Sequence, residues 1–295
     1  MELKGTHTAI VTPFKNEQVD YAGLEKNILF QIEQGIDGIL VLGTTGETPT
    51  LEEEEKTKII QLAVKVANHK VPIMVGTGSY STHHTIENTK KAKDLGADSV
   101  LVVTPYYNKP TNEGLFRHFK AVCDAVDIPV VVYNIQGRSA KNIETPVMKR
   151  ISEIPNIVGV KEASGSLEQM MDVIHTIASQ KRGFSVMSGD DAFTLALISL
   201  GGKGVISVLS NLFPAKITAM VNAALAGDFT KARSLHYELL PIFKGAFIET
   251  NPIPIKEAMN MCGMAAGGCR LPMCEMMPEN REKLRKILLD MKAIV

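Results

Sequence analysis

Short apolar runs rich in valine and isoleucine recur along most of the chain, at residues 8–11, 38–43, 72–76, 99–104, 129–134, 157–161, 184–188 and 204–208. They are near-continuous rather than alternating, which is the pattern of parallel strands covered on both faces. Most are separated by stretches with helical spacing and end signals. In the second such stretch, apolar residues recur at Ile59, Ile60, Leu62, Ala63, Val64, Val66 and Ala67. Thr50-Leu51-Glu52-Glu53 has the form of a capping box before it, and Lys65, His69 and Lys70 close it. Asp20 and Gly35 bracket an earlier helix, and Ser81 and Gly96 a later one.

Three segments resemble one another: EQGIDGILVLGT, DLGADSVLVVTP and SLGGKGVISVLS. Each reads as a helix ending in glycine, then a tight turn into a buried strand, the unit of a βα array. The crossover rule permits an open doubly wound sheet or a closed barrel, and strand count discriminates between them. Eight strands in strict alternation predict an α/β fold of the (β/α)8 TIM-barrel type. GTGSYS from Gly76 lacks the third glycine of a dinucleotide fingerprint. Beyond about Val208 the chain reads as helical to Val295, longer than a closing helix requires. The expected organisation is a barrel over 1–225 and a helical extension over 226–295 packed on it.

Composition narrows the function classes. The chain has 295 residues, 45% hydrophobic and 22% charged, with no formal net charge. Neither a basic excess for nucleic acid nor a like-charge tail is present. The acidic run Glu52–Glu55 reads as the solvated first turn of a helix. MELKGTHTAIVTP has no basic region followed by an apolar stretch, so no signal peptide is expected. No apolar run has bilayer length. Cys123, Cys262, Cys269 and Cys274 lack paired CxxC spacing, so reduced, mostly buried thiols are expected and no zinc site. The expected location is cytoplasmic.

Chemistry in such a barrel sits at the C-terminal ends of the strands. Those positions read Thr12, Thr44-Thr45, Gly76, Thr104 with Tyr106-Tyr107, Tyr133, Lys161, Gly189-Asp190 and Ser207. Serine-type acyl transfer and metal hydrolysis lose ground, because no His-Asp-Ser set or ligand cluster appears among them. Lys161 ends an apolar run in GVKEAS, where an ammonium group is costly unless paired, neutralised or used. Strand alternation puts Ile157, Gly159 and Lys161 on one face, with Gly159 leaving space beside the lysine stem. A desolvated lysine offers free amine to a carbonyl, and the resulting imine is an electron sink. The alternative is a strand-end lysine paired with Glu162 or another carboxylate. Tyr133, one strand away, is a candidate proton carrier or a core tyrosine. The turn Gly43-Thr44-Thr45-Gly46-Glu47 can hold a carboxylate with hydroxyls and backbone N–H groups. Arg138 can hold one with two hydrogen bonds, or is a surface arginine.

Taken together, TAIVTPF, GTTGE, TPYYNKPTNEGLFRHF, VVYNIQGR, GVKEASG, SGDD, GGKGVISV and NPIPIKEAM resemble the dihydrodipicolinate synthase and N-acetylneuraminate lyase family of class I pyruvate-dependent aldolases. The resemblance covers nearly the whole chain. It implies a cofactor-free enzyme in which Lys161 forms a Schiff base with pyruvate and Tyr133 donates and accepts protons. Thr44 and Tyr107 complete the relay, while Thr45 and the backbone at Ile206 hold the pyruvate end. The relay tyrosine comes from a neighbouring subunit, which implies a homo-oligomer, dimer or tetramer. Arg138 and the Tyr106-Tyr107 pair favour the synthase branch. That branch condenses pyruvate with aspartate semialdehyde in diaminopimelate and lysine biosynthesis, and Arg138 holds the semialdehyde carboxylate.

Two departures from the family pattern matter. The synthase loop Tyr-Asn-x-Pro-x-Arg-Thr-Gly is here Tyr133-Asn134-Ile135-Gln136-Gly137-Arg138-Ser139-Ala140. The proline is absent and the glycine displaced, a change expected to loosen or redirect Arg138. The positions matching the family's lysine-inhibitor site are Glu53, Lys56, Tyr80 and His84, where Lys56 would repel an ammonium-bearing ligand. Weak or absent lysine inhibition is expected, with His83-His84 as exposed first-turn residues. The competing readings are an aldolase splitting a sugar acid (sialate or a keto-deoxy acid) and a non-catalytic keto-acid binder. A phosphate-binding sugar isomerase using GGKGVIS lacks a nearby basic cluster.

Overall fold

A computed structural model describes residues 3–181 and 183–295. Eight parallel strands form where the apolar runs lie: β1 (Gly5–Ala9), β2 (Gly38–Val41), β3 (Ile73–Gly76), β4 (Ser99–Val103), β5 (Val130–Asn134), β6 (Ile157–Glu162), β7 (Ser185–Ser188) and β8 (Gly204–Ser207). Each pairs with its chain neighbours, and β1 pairs with both β2 and β8, so the sheet closes on itself. This is the predicted (β/α)8 barrel. A two-residue ribbon, Phe14–Lys15 with Gln18–Val19, was not anticipated from the sequence.

Eight helices alternate with the strands: α1 (Tyr21–Glu33), α2 (Glu53–Ala67), α3 (Thr82–Asp94), α4 (Asn112–Ala125), α5 (Thr145–Ser152), α6 (Leu167–Val173), α7 (Thr194–Ser199) and α8 (Pro214–Leu225). Asp20 and Ser81 cap α1 and α3 as expected, each side chain accepting a backbone N–H of the first turn. The start of α2 differs. The Glu52 N–H donates to the Glu55 carboxyl group at 2.9 Å, while the Thr50 hydroxyl bonds back to the Glu47 carbonyl in a preceding short turn. The longer glutamate side chains therefore cap two residues later than Thr50 would.

Apolar residues segregate into three layers. Leu40, Met74, Leu101, Val131, Met187 and Ile206 fill the barrel interior. Ile39, Ile73, Val100, Val130, Val132, Val160 and Val186 face outward onto the helices. A third cluster joins Val205, Ile217 and Val221 of the barrel to Leu239, Phe243, Leu284 and Leu288. The last four belong to α9 (Phe229–Gly245) and α11 (Pro278–Asp290), with α10 (Ile253–Met261) between them. Fully burying one such side chain contributes about 1.5–3 kcal/mol, so this shared cluster fastens the late helices to the barrel. The stretch 262–277, expected to be helical, has no regular element. Gly263, just past the C-cap of α10, adopts the left-handed backbone that ends a helix, and Gly267 is left-handed within the irregular stretch.

Residue alternation in β6 is interrupted. Val130 pairs with Ile157 but Val131 pairs with Gly159, so Val158 is an extra residue on β6. Ile157 consequently joins the outer layer and Val158 leans on the inner one. This corrects the expectation that Ile157 shares the face of Lys161. Gly159 has another purpose too: a Cβ there would stand 2.4 Å from the Ser185 carbonyl oxygen of β7. The glycine that makes room beside the lysine stem is Gly189, whose Cβ would lie 3.2 Å from Lys161 Cε.

Candidate active site

Lys161 lies inside the barrel mouth near the end of β6, level with Tyr133 of β5 and Met187 of β7. Its side chain is 5% exposed. Burial lowers its pKa to about 8; Asp191 opposes that shift and Arg138 adds to it. The ammonium nitrogen sits 4.4 Å from the centre of the Tyr133 ring, over its face. Glu162 is not its partner. That carboxyl group points to the other side of β6, where it accepts from Asn134 Nδ2, the Ser164 N–H and Gln169 Nε2. Among the described residues Lys161 makes no salt bridge. A buried amine with its pKa lowered to about 8 carries far more neutral form at physiological pH than an ordinary lysine, and that form is a competent carbonyl nucleophile.

Tyr133 is buried, and burial pushes its phenol up to about 12 against the Arg138 charge and a hydrogen bond with Thr44. It therefore stays protonated throughout the range in which Lys161 loses its proton, and is a donor rather than a phenolate. Thr44 reaches it from the turn after β2. That turn is anchored on all sides. Thr12 Oγ1 donates to the Gly46 carbonyl at 2.8 Å and Thr48 Oγ1 to that of Gly43 at 3.0 Å. Glu47, in left-handed backbone, accepts from the buried Lys256 at 2.7 Å and from the Arg270 N–H at 3.0 Å. Lys256 also bonds the Thr12 carbonyl at 3.0 Å, so its buried charge is paired and satisfied.

Thr45 is 2% exposed, and its hydroxyl accepts from Asn251 Nδ2 at 3.0 Å. Arg138 stands in a one-turn helix, Gln136–Ser139, and its Nη2 donates to the Asn251 carbonyl oxygen at 3.0 Å. In the altered loop the guanidinium is thus tied to the backbone of a distant segment. Ile206 lies in β8 beside His7 of β1, its side chain in the barrel interior. Tyr107 is not brought to the site within one chain: it is 91% exposed in left-handed backbone. Tyr106 instead packs edge-on against Tyr80, ring centres 5.6 Å apart.

Two residues here were missed in the sequence. Asp191, second acid of SGDD, is 2% exposed and burial raises its pKa. It accepts from Ser207 Oγ and from the N–H groups of Val208 and Leu209 at 2.9 and 3.2 Å, tying β7 to the turn after β8. Its strand-end position was the available signal, and only Asp190 was taken from it. Asn251 belongs to NPIPIKEAM, far along the chain, and nothing local marks it. His83 and His84 are exposed, as expected. All four cysteines are unpaired, but only Cys123 is buried; Cys262 and Cys269 are half-buried and Cys274 is exposed, which corrects the expectation of mostly buried thiols.

Residues 2–291 match the model of the family described as "Dihydrodipicolinate synthetase family". The chain is 51% identical over 292 residues to the 4-hydroxy-tetrahydrodipicolinate synthase of Protochlamydia amoebophila, covering 99% of this chain and 97% of that protein. It is 50% identical over 293 residues to the enzyme of that name from Methanocaldococcus jannaschii, covering 99% and 100%. The crystal structure of dihydrodipicolinate synthase from Acinetobacter baumannii complexed with pyruvate superposes with a TM-score of 0.96 at 42% identity, covering 99% of each chain.

Proposed function

The chain belongs to the dihydrodipicolinate synthetase family, and on that premise we propose that it condenses pyruvate with L-aspartate 4-semialdehyde to 4-hydroxy-tetrahydrodipicolinate, a lyase-type step in diaminopimelate and lysine biosynthesis. Relatives at about half identity over nearly the full chain carry the name of that reaction, which favours it over sugar-acid cleavage. The observation that carries the chemistry is Lys161: a buried amine with its pKa lowered to about 8, beside a protonated phenol.

In this reading the neutral Lys161 amine adds to the ketone carbon of pyruvate, as bound by the Acinetobacter relative. Tyr133, in relay with Thr44 and Tyr107, delivers the proton that lets water leave, and the Schiff base forms. Loss of a methyl proton gives the enamine, whose carbon adds to the semialdehyde. The amino group of the second substrate then attacks the imine carbon, closes the ring and frees Lys161. Thr45 and the Ile206 backbone hold the pyruvate carboxylate, and Arg138 holds that of the semialdehyde. No added cofactor enters these steps.

Tyr107, exposed and held in left-handed backbone, serves a second copy of the chain, so the working form is a homo-oligomer. Residues 1–225 act as the catalytic barrel and 226–295 as its packed extension. No helix among the described residues is long and apolar enough to cross a membrane; we place the reaction in the cytoplasm. The test is borohydride trapping of pyruvate on the protein together with turnover of aspartate semialdehyde. An adduct with turnover of aspartate semialdehyde supports the synthase; an adduct without that turnover, together with cleavage of a sugar acid, supports the sugar-acid aldolase.

A further inference from the structure

Asn251 enters the barrel mouth from the segment just before α10 and is 4% exposed. It touches both groups read above as carboxylate holders. Its side-chain Nδ2 donates to Thr45 Oγ1 at 3.0 Å, and its backbone carbonyl accepts from Arg138 Nη2 at 3.0 Å. Its other side-chain atom, Oδ1, is buried without a hydrogen-bond partner among the described residues. A hydroxyl has one proton to give and lone pairs to receive. With Asn251 occupying a lone pair, Thr45 has its own proton left to donate, and none of the described residues accepts it. A donating hydroxyl is what an incoming carboxylate requires; an accepting one would repel it.

We propose that Asn251 is a positioning residue that sets the polarity of the Thr45 hydroxyl toward the pyruvate carboxylate, while its backbone separately anchors Arg138 for the second substrate. The inference rests on the synthase reading and deepens it. It separates the two half-sites: side-chain changes at Asn251 act on pyruvate, because the carbonyl that holds Arg138 survives them. The unpartnered Oδ1 fits this assignment, since the amide keeps its donor on Thr45 while its acceptor goes unused. Fixing donors before the ligand arrives avoids reorganisation on binding.

Three variants test it: Asn251→Ala, Asn251→Asp and Thr45→Val, with Asn251→Ala also made in the Thr45→Val background. Steady-state kinetics are read with each substrate varied in turn. In Asn251→Ala we expect KM for pyruvate to rise about ten-fold, as for one lost hydrogen bond supporting a charged ligand, with kcat within roughly two-fold. KM for aspartate semialdehyde should stay near that of the parent protein. Asn251→Asp should be worse, because a carboxylate there takes the Thr45 proton and turns lone pairs toward the substrate. In the Thr45→Val background the effect of Asn251→Ala on pyruvate should vanish. Equal losses in both KM values and kcat, or an undiminished effect without the Thr45 hydroxyl, overturn the inference and leave a structural residue. Borohydride trapping of pyruvate on the parent protein separates the two failures. No adduct there means that the synthase reading fails; an adduct with unchanged KM in the variants means that only the Asn251 assignment does.

Discussion

Lys161 carries a measurable cost in stability, and the sign follows from its pKa. An unfolded lysine keeps its proton up to about 10.5, whereas the folded one releases it near 8. Between those values the unfolded chain binds more protons, so stability rises with pH; below about 8 the burial penalty is felt in full. Replacing the ammonium with an apolar side chain of similar length removes that penalty. We expect Lys161→Met to be more stable than the parent protein at pH 7, by about 2–3 kcal/mol, while losing activity. The gap should narrow steadily from pH 8 to 10.5. Urea unfolding at pH 7 and at pH 10 checks this, and a variant less stable at pH 7 contradicts it. The same lowered pKa makes the amine available for reaction, so the instability and the chemistry have one origin.

Reactive groups are aimed by the strand pair that carries them. Tyr133 stands opposite Lys161 across β5 and β6, and the next pair along, Asn134 and Glu162, faces outward. Glu162 is fully buried and accepts from Asn134, Ser164 and Gln169, while Asn134 Oδ1 takes the Ile143 N–H at 3.0 Å. This outer set clamps the ends of the two catalytic strands. Glu162→Gln turns one acceptor into a donor facing donors. We expect a loss of about 2–3 kcal/mol, with a fall in kcat, measured by urea midpoint and initial rate. An unchanged midpoint would mean that the clamp is dispensable. The strands themselves were legible in the sequence, because a parallel barrel writes them as unbroken apolar runs. The faces of β6 were not, since one inserted residue, Val158, inverts Ile157. The role of Gly189 was hidden for the same kind of reason: which backbone approaches which side chain is set by closure of the barrel. Lys161, Tyr133, Thr44 and Thr45 were legible because each stands at a strand end. Asn251 and Lys256 reach the site from a segment with no strand to mark it.

On the scale of the molecule, surface charge bears on regulation. Glu53 lies among the residues matched to the family's lysine-inhibitor site, and two lysines already claim it. Lys56 stands 2.7 Å from its carboxylate and Lys91 3.5 Å, and the hydrogen bond from Lys56 leads in holding its pKa low. A free lysine arriving there meets two ammonium groups that already share the Glu53 carboxylate. We expect lysine to inhibit turnover weakly or not at all, whereas inhibition in the micromolar range would contradict this reading.

The reaction as a whole depends on Lys161 being the nucleophile. The decisive measurement is to incubate the protein with pyruvate, reduce with borohydride, digest, and locate the adduct by mass spectrometry over a range of pH. We expect one pyruvate-derived adduct, confined to Lys161, forming faster as pH rises toward about 8 and levelling beyond it. An adduct spread over several surface lysines, or none in folded protein, would return Lys161 to a structural role and remove the basis for the mechanism.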